Sequence, residues 1–171
     1  IRQVRHIFLD NIYRNETQLL GYWESRKKTF DDIQAILGEP MEKGFQNAIN
    51  QFWDSWQELS KSPDSLTVRA VVRQRAEAFL HFVNHLGSQI DRLQSDLDSE
   101  IRVRIEEVNS ITREINRLNL EILKLENYGD KANDYRDQRN LLIDRLSKLI
   151  DVEAYEAQDG QLNVVSGGYF L

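Results

Sequence analysis

Residues 79–125 read FLHFVNHLGSQIDRLQSDLDSEIRVRIEEVNSITREINRLNLEILKL. The apolar positions in this stretch are Phe79, Val83, Leu86, Ile90, Leu93, Leu97, Ile101, Ile105, Val108, Ile111, Ile115, Leu118, Ile122 and Leu125. Almost every gap between them is three or four, the spacing that keeps one stripe on one side of an α-helix and turns it toward one partner. From Leu97 to Val108 the gaps become 4-4-3, a stutter that locally unwinds a supercoil. Opposite charges at i, i+4 fill the remaining faces, as in Glu100 with Arg104 and Asp98 with Arg102. Each such pair is worth only about 0.2–0.5 kcal/mol, which describes a solvated face. The structural packing stripe is therefore expected at Leu86, Ile90, Leu93, Leu97, Ile101, Ile105, Val108, Ile115, Leu118 and Ile122. A helix of roughly 60 residues would span about 90 Å, the length of a rod.

Outward from this stretch, the chain is punctuated by only two prolines. Gly38-Glu39-Pro40 closes a first periodic segment, and Ser62-Pro63-Asp64 opens the long one, with Ser62 as N-cap and Pro63 at the first helical position. Four helices are predicted, over about 2–37, 43–60, 64–126 and 132–150. The first carries Ile1, Val4, Phe8, Ile12, Leu19, Trp23, Phe30, Ile33 and Leu37, with Asn15 and Arg26 standing where the stripe wants apolar residues. The fourth, with Tyr135, Leu142, Leu146 and Leu149, follows the short link Asn127-Tyr128-Gly129-Asp130 and should fold back antiparallel on the long helix. After Asp151 the period changes to two. Val152–Tyr155 and Leu162–Val165 read as short strands around a turn, and Gly167-Gly168 leads to Tyr169. The predicted fold class is mainly α: an elongated antiparallel helical bundle or coiled-coil-like rod with one very long helix, then the first strands of a truncated β domain. The expected division is a helical rod domain over 1–151 and the beginning of a β-rich domain over 152–171. Ile1 already lies in a helical pattern and Tyr169-Phe170-Leu171 in a strand pattern, so a segment of a longer chain is expected.

Composition narrows the function. The net charge of −6, with Lys and Arg interleaved among Asp and Glu, leaves no basic stripe for nucleic acid. No apolar run is long enough to span a membrane, and no leader precedes Asp10. With no Cys, disulfide frameworks, thiolate zinc sites and thiol nucleophiles drop out together. His81 and His85 share a helix face, but no third ligand stands at a recognisable spacing, so no metal site is expected. Carboxylates abound without a sign of a cleft, and Gly167-Gly168 precedes no helix with a Lys or Ser. No catalytic residue and no cofactor are expected. Trp53 and Trp56, with Trp23 in the first segment, fit helix packing or a partner contact. The densest polar cluster, Tyr135-Arg136-Asp137-Gln138-Arg139, should make charge pairs where the fourth helix meets the long one, with Arg139 suited to a bidentate carboxylate.

Several runs resemble a known family. They are Trp56-Gln57-Glu58-Leu59-Ser60-Lys61-Ser62-Pro63-Asp64-Ser65 with Val68-Arg69-Ala70-Val71-Val72-Arg73-Gln74-Arg75, and Ala132-Asn133-Asp134-Tyr135-Arg136-Asp137-Gln138-Arg139-Asn140-Leu141-Leu142-Ile143-Asp144. Gly21-Tyr22-Trp23-Glu24 with Glu39-Pro40, and Asp159-Gly160-Gln161-Leu162-Asn163-Val164, extend the likeness over essentially the whole chain, in order. Together they resemble the flagellar hook-associated protein 1 family, the hook–filament junction proteins. Tyr135 departs from the Leu that the family often carries, a matter of packing only.

The resemblance implies a structural component of the bacterial flagellum, exported through the hollow flagellum and assembled outside the cell. Its implied partners are copies of itself in a ring, the hook protein, a second hook-associated or filament protein, and an export chaperone for the full-length protein. Arg136, Asp137 and Arg139 are implied as the family's polar motif. An adapter between hook and filament lattices follows, with no enzymatic role. The competing reading is a helical interaction scaffold or secretion-needle-type protein outside the flagellum, which has no use for both polar motifs in order.

Overall fold

A computed structural model describes residues 6–38, 44–157 and 160–171. Four helices come first: α1 (Ile7–Leu37), α2 (Phe45–Lys61), α3 (Leu66–Asn127) and α4 (Asn133–Ser147). Three short strands follow, β1 (Glu153–Glu156), β2 (Leu162–Ser166) and β3 (Tyr169–Phe170). The expected mainly α class holds, with α3 unbroken over 62 residues. Ile1, Val4, Glu39 and Pro40 of the predicted pattern, and the turn residues Gln158 and Asp159, lie outside the described residues.

The start of α3 differs from expectation. Ser62 ends α2, its N–H donating to the Glu58 and Leu59 carbonyls. The long helix is instead opened by Ser65, whose Oγ accepts from the Val68 N–H at 3.4 Å and whose carbonyl accepts from the Arg69 N–H. Ser62 and Ser65 close a turn around Pro63 and Asp64, through the Ser65 N–H and the Ser62 carbonyl. A serine three residues before a free N–H is the stronger cap because it satisfies an orphan donor of the first turn.

The chain forms two compact units, one containing α1 up to Arg26 together with Glu100–Leu171, the other Lys27–Ser99. In the second unit the α2 face bearing Phe45 and Phe52 packs on Phe79 of α3. Phe52 and Phe79 lie stacked at 5.5 Å between centroids, and Val72 and Leu86 of α3 are buried. In the first unit, Ile111 and Ile115 of α3, Ile143 and Leu146 of α4, Val152 and Val164 form one buried cluster. Leu118 and Ile122 are buried just beyond it.

The strands form an antiparallel sheet in the order β1-β2-β3. Gly167 and Gly168, both at positive φ, make the two-residue link that pairs Ser166 with Tyr169, a turn whose geometry matches the twist of the flanking strands. One face of this sheet, through Val164, Ala154 and Leu162, closes the α3–α4 core. Alternation of period two thus turns Leu162 and Val164 of β2 toward the helices, with Val164 buried.

Candidate packing and partner surfaces

Across the stripe of α3, burial follows what covers it. Leu86 is buried and Leu93 and Leu97 are half-buried, while Ile90 is exposed. Ile101 and Ile105 are 56% and 54% exposed, Val108 is half-buried, and Ile115, Leu118 and Ile122 are at most 3% exposed. Among the described residues the expected continuous seam is therefore interrupted, at Ile90 and again at Ile101 and Ile105 within the 4-4-3 stutter. Periodicity sets which side of a helix is apolar. It does not supply the element that covers that side.

Alpha-helix 4 is tied to its surroundings by two arginines one turn apart. Arg136 makes a bidentate pair with Glu126 near the end of α3, Nε to Oε1 at 2.7 Å and Nη2 to Oε2 at 2.8 Å, and its Nη1 reaches Glu156 of β1 at 2.7 Å. These hydrogen bonds hold the Glu126 carboxyl below the usual carboxylate range, and Arg136 is held protonated by its two acidic partners. Arg139 is 1% exposed. Its Nη1 donates to Asn119 Oδ1 at 2.7 Å and to the Gly160 carbonyl at 3.2 Å. Arg136 thus forks onto Glu126, while Arg139, one turn further along α4 and expected to meet a carboxylate, reaches Asn119 and the Gly160 carbonyl. Asp137, third of the polar motif, is exposed.

Asn119 completes the arrangement. Its side-chain amide accepts from the Leu162 N–H at 3.2 Å and donates to the Leu162 carbonyl at 3.0 Å, as a neighbouring strand would. Leu162 stands opposite Glu156 in a pair whose backbone groups point away from β1. With β3 pairing only at Val165 and Ser166, that stretch of β2 edge is satisfied by Asn119. Sequence reasoning missed Asn119. The visible signal was an amide immediately beside Leu118 in the middle of the stripe.

Helix α1 meets the end of α4 through polar contacts. Arg14, its one buried residue among those described, pairs through Nε with Asp144 Oδ1 at 2.9 Å. Lys148 pairs with Glu24 at 2.8 Å. Between them Gly21 lies so close that a Cβ would stand 2.1 Å from the Lys148 carbonyl oxygen, so only glycine fits. The large apolar side chains of α1, among them Ile7, Phe8, Leu9, Tyr13, Leu20 and Phe30, are exposed. Asn15 and Arg26 are exposed as well.

The tryptophans are also exposed: Trp23 at 61%, Trp53 at 64% and Trp56 at 49%. Trp56 touches Phe52 edge-on, yet internal packing of α2 is carried by Phe45 and Phe52. Ile49, Trp53 and Trp56, at i, i+4 and i+7, leave a second apolar face on α2 turned outward. Both His81 and His85 are exposed, and no cluster of three or more metal-capable side chains occurs among the described residues. No described helix is long and apolar enough to cross a membrane.

Residues 30–170 match the model of the flagellar hook-associated protein FlgK helical domain. Over 111 residues the chain is 32% identical to flagellar hook-associated protein 1 of Bacillus subtilis (strain 168), covering 65% of this chain and 22% of that protein. The solved flagellar hook junction protein FlgK from Burkholderia pseudomallei shares the fold, with a TM-score of 0.73 at 22% identity, over 92% of this chain and 28% of that one. The chain thus spans about a quarter of the length of these relatives. With the family model covering most of its residues, the chain belongs to the flagellar hook-associated protein FlgK helical-domain family.

Proposed function

We propose that the protein carrying this domain is a structural component of the bacterial flagellum that joins hook to filament. It works by subunit packing and performs no catalysis. The observation that carries this reading, beside the family match, is the outward display of large apolar side chains on α1, on α2 and at Ile101 and Ile105 of α3. Large apolar side chains grouped on one outward helix face, as Ile49, Trp53 and Trp56 are on α2, mark sites where other protein packs. Its partners on this reading are copies of itself in a ring, the hook protein, and a second hook-associated or filament protein, with an export chaperone for the full-length protein before assembly. Secretion to the cell exterior through the flagellum goes with that role.

The packing stripe and the exposed tryptophans take different parts. Residues Ile115, Leu118 and Ile122 hold the subunit together, and Ile101, Ile105, Trp23, Trp53 and Trp56 meet neighbours. The Arg136–Asp137–Arg139 motif fixes how the strands leave the helices, and residues 152–171 open a β-rich domain. Removing the gene and imaging the cells tests the role. Hooks without filaments, with filament protein shed into the medium, are expected. Normal filaments would overturn it.

A further inference from the structure

Among the described residues the strand β1 has a neighbour on one side only, since the sheet order is β1-β2-β3. Its register fixes what the free edge offers. The Ala157 N–H donates to the Gln161 carbonyl, so pairs alternate from there: Tyr155 with Asn163 and Glu153 with Val165 exchange hydrogen bonds with β2. Ala154 and Glu156 belong to the intervening pairs, and their N–H and C=O groups point away from the sheet. No backbone hydrogen bond from another element reaches Ala154 among the described residues.

This edge is not simply open to solvent. Alpha-helix 1 runs along it, and a groove of about 370 Å³ lies between them. Val152, Glu153, Ala154 and Tyr155 all line it. Side chains of consecutive strand residues alternate faces, so Glu153, Ala154 and Tyr155 of β1 can all border one groove only at the strand's edge. The opposite wall is Asn11, Arg14 and Asn15, which at i, i+3 and i+4 share one face of α1. Among the described residues the Asn11 and Asn15 amides make no hydrogen bond. The charge of Arg14 is met by Asp144, leaving Asp151 and Glu153 to set the sign of the groove.

We propose that this groove accepts an extended, basic segment of another polypeptide as a strand added to the free edge of β1. The guest backbone would pair with the outward groups of Ala154, the amides of Asn11 and Asn15 would take up its remaining backbone groups, and a Lys or Arg would meet Asp151 and Glu153. Main-chain pairing supplies affinity in such an arrangement and the flanking side chains supply selectivity. A helix cannot take this place, because its backbone groups are already bonded within itself.

The inference rests on the flagellar reading, since its test uses the full-length protein assembled on cells. The photocrosslinker p-benzoylphenylalanine is placed at Tyr155, with a control at Tyr128, an exposed residue of the α3–α4 link, and crosslinked peptides are identified by mass spectrometry. The expected result is a crosslink from position 155, absent from 128, to an extended segment of a different polypeptide bearing Lys or Arg. Ala154→Pro removes an outward N–H where an edge strand tolerates proline, and should cut the yield severalfold while the melting temperature stays close to the parent. Should that variant not fold, Asp151→Lys with Glu153→Lys provides the second arm at two exposed positions, with the same loss of yield expected. A crosslink within the same chain, to a helical segment, or at a yield no higher than the control overturns the proposal, as does a yield indifferent to the charge reversal. These outcomes are separate from filament loss on gene deletion, so the groove can fail while the junction role stands.

Discussion

Two stretches of α3 lie one to two turns apart, belong to one apolar stripe and have opposite fates. Ile111 and Ile115 are enclosed by α4 and the sheet and Leu118 and Ile122 are buried just beyond them, whereas Ile101 and Ile105 are more than half exposed. Both stretches belong to the same compact unit. Their difference lies in the cover. An apolar stripe is a property of the helix, but its burial is a property of what the fold lays over it. The first stretch is buried among the described residues, and on the function proposed above the second is the one that meets other protein.

Truncation should show the contrast most strongly at the covered end. Leu118→Ala leaves a cavity in a site 1% exposed and should cost about 2–5 kcal/mol in urea unfolding of the full-length protein, whereas Leu118→Asp should abolish folding of that unit. A Leu118→Ala cost no larger than that of a surface change would remove the basis of the comparison. Next comes the polar side of the same region. Arg139→Ala deletes a charged donor shared by Asn119 and the Gly160 carbonyl, with an expected cost of about 1.5–3 kcal/mol and faster amide exchange at Leu162. Exchange at Leu162 that does not change would show that Arg139 does not hold the strand.

A smaller effect is expected at Glu126, and it depends on pH. Its carboxyl titrates lower in the folded protein than when unfolded because of Arg136, so its contribution is fully present above the unfolded carboxylate pKa and is lost as pH falls through the folded one. Glu126→Gln should therefore lower stability at neutral pH and flatten the fall in stability below about pH 4.5. Parent and variant curves that stay parallel into acid would contradict that assignment.

Much of this was legible in the sequence, and the reasons are local. The period of α3, the breaks near Gly38 and Pro63, and the switch to alternation after Asp151 each reflect a single element's own geometry. What stayed hidden depends on two elements at once. Asn119 reads as an ordinary polar residue until β2 is laid against it, and Arg136 forks onto Glu126 only because Glu126 lies opposite that turn of α4. Gly21 gave no sign that the end of α4 would come so near. The tryptophans fitted both packing and partner contact, since i, i+3 spacing fixes a shared helix face but not whether that face is turned inward.

The most direct measurement pairs stability with assembly for Ile101→Ser combined with Ile105→Ser in the full-length protein. If the open stretch of α3 serves neighbours, unfolding stability should change by no more than about 0.5 kcal/mol per site while cells fail to retain filaments. A loss of stability comparable to that of Leu118→Ala, or filaments retained as in the parent, would contradict the division of α3 into a stretch that holds the subunit and a stretch that holds its neighbours.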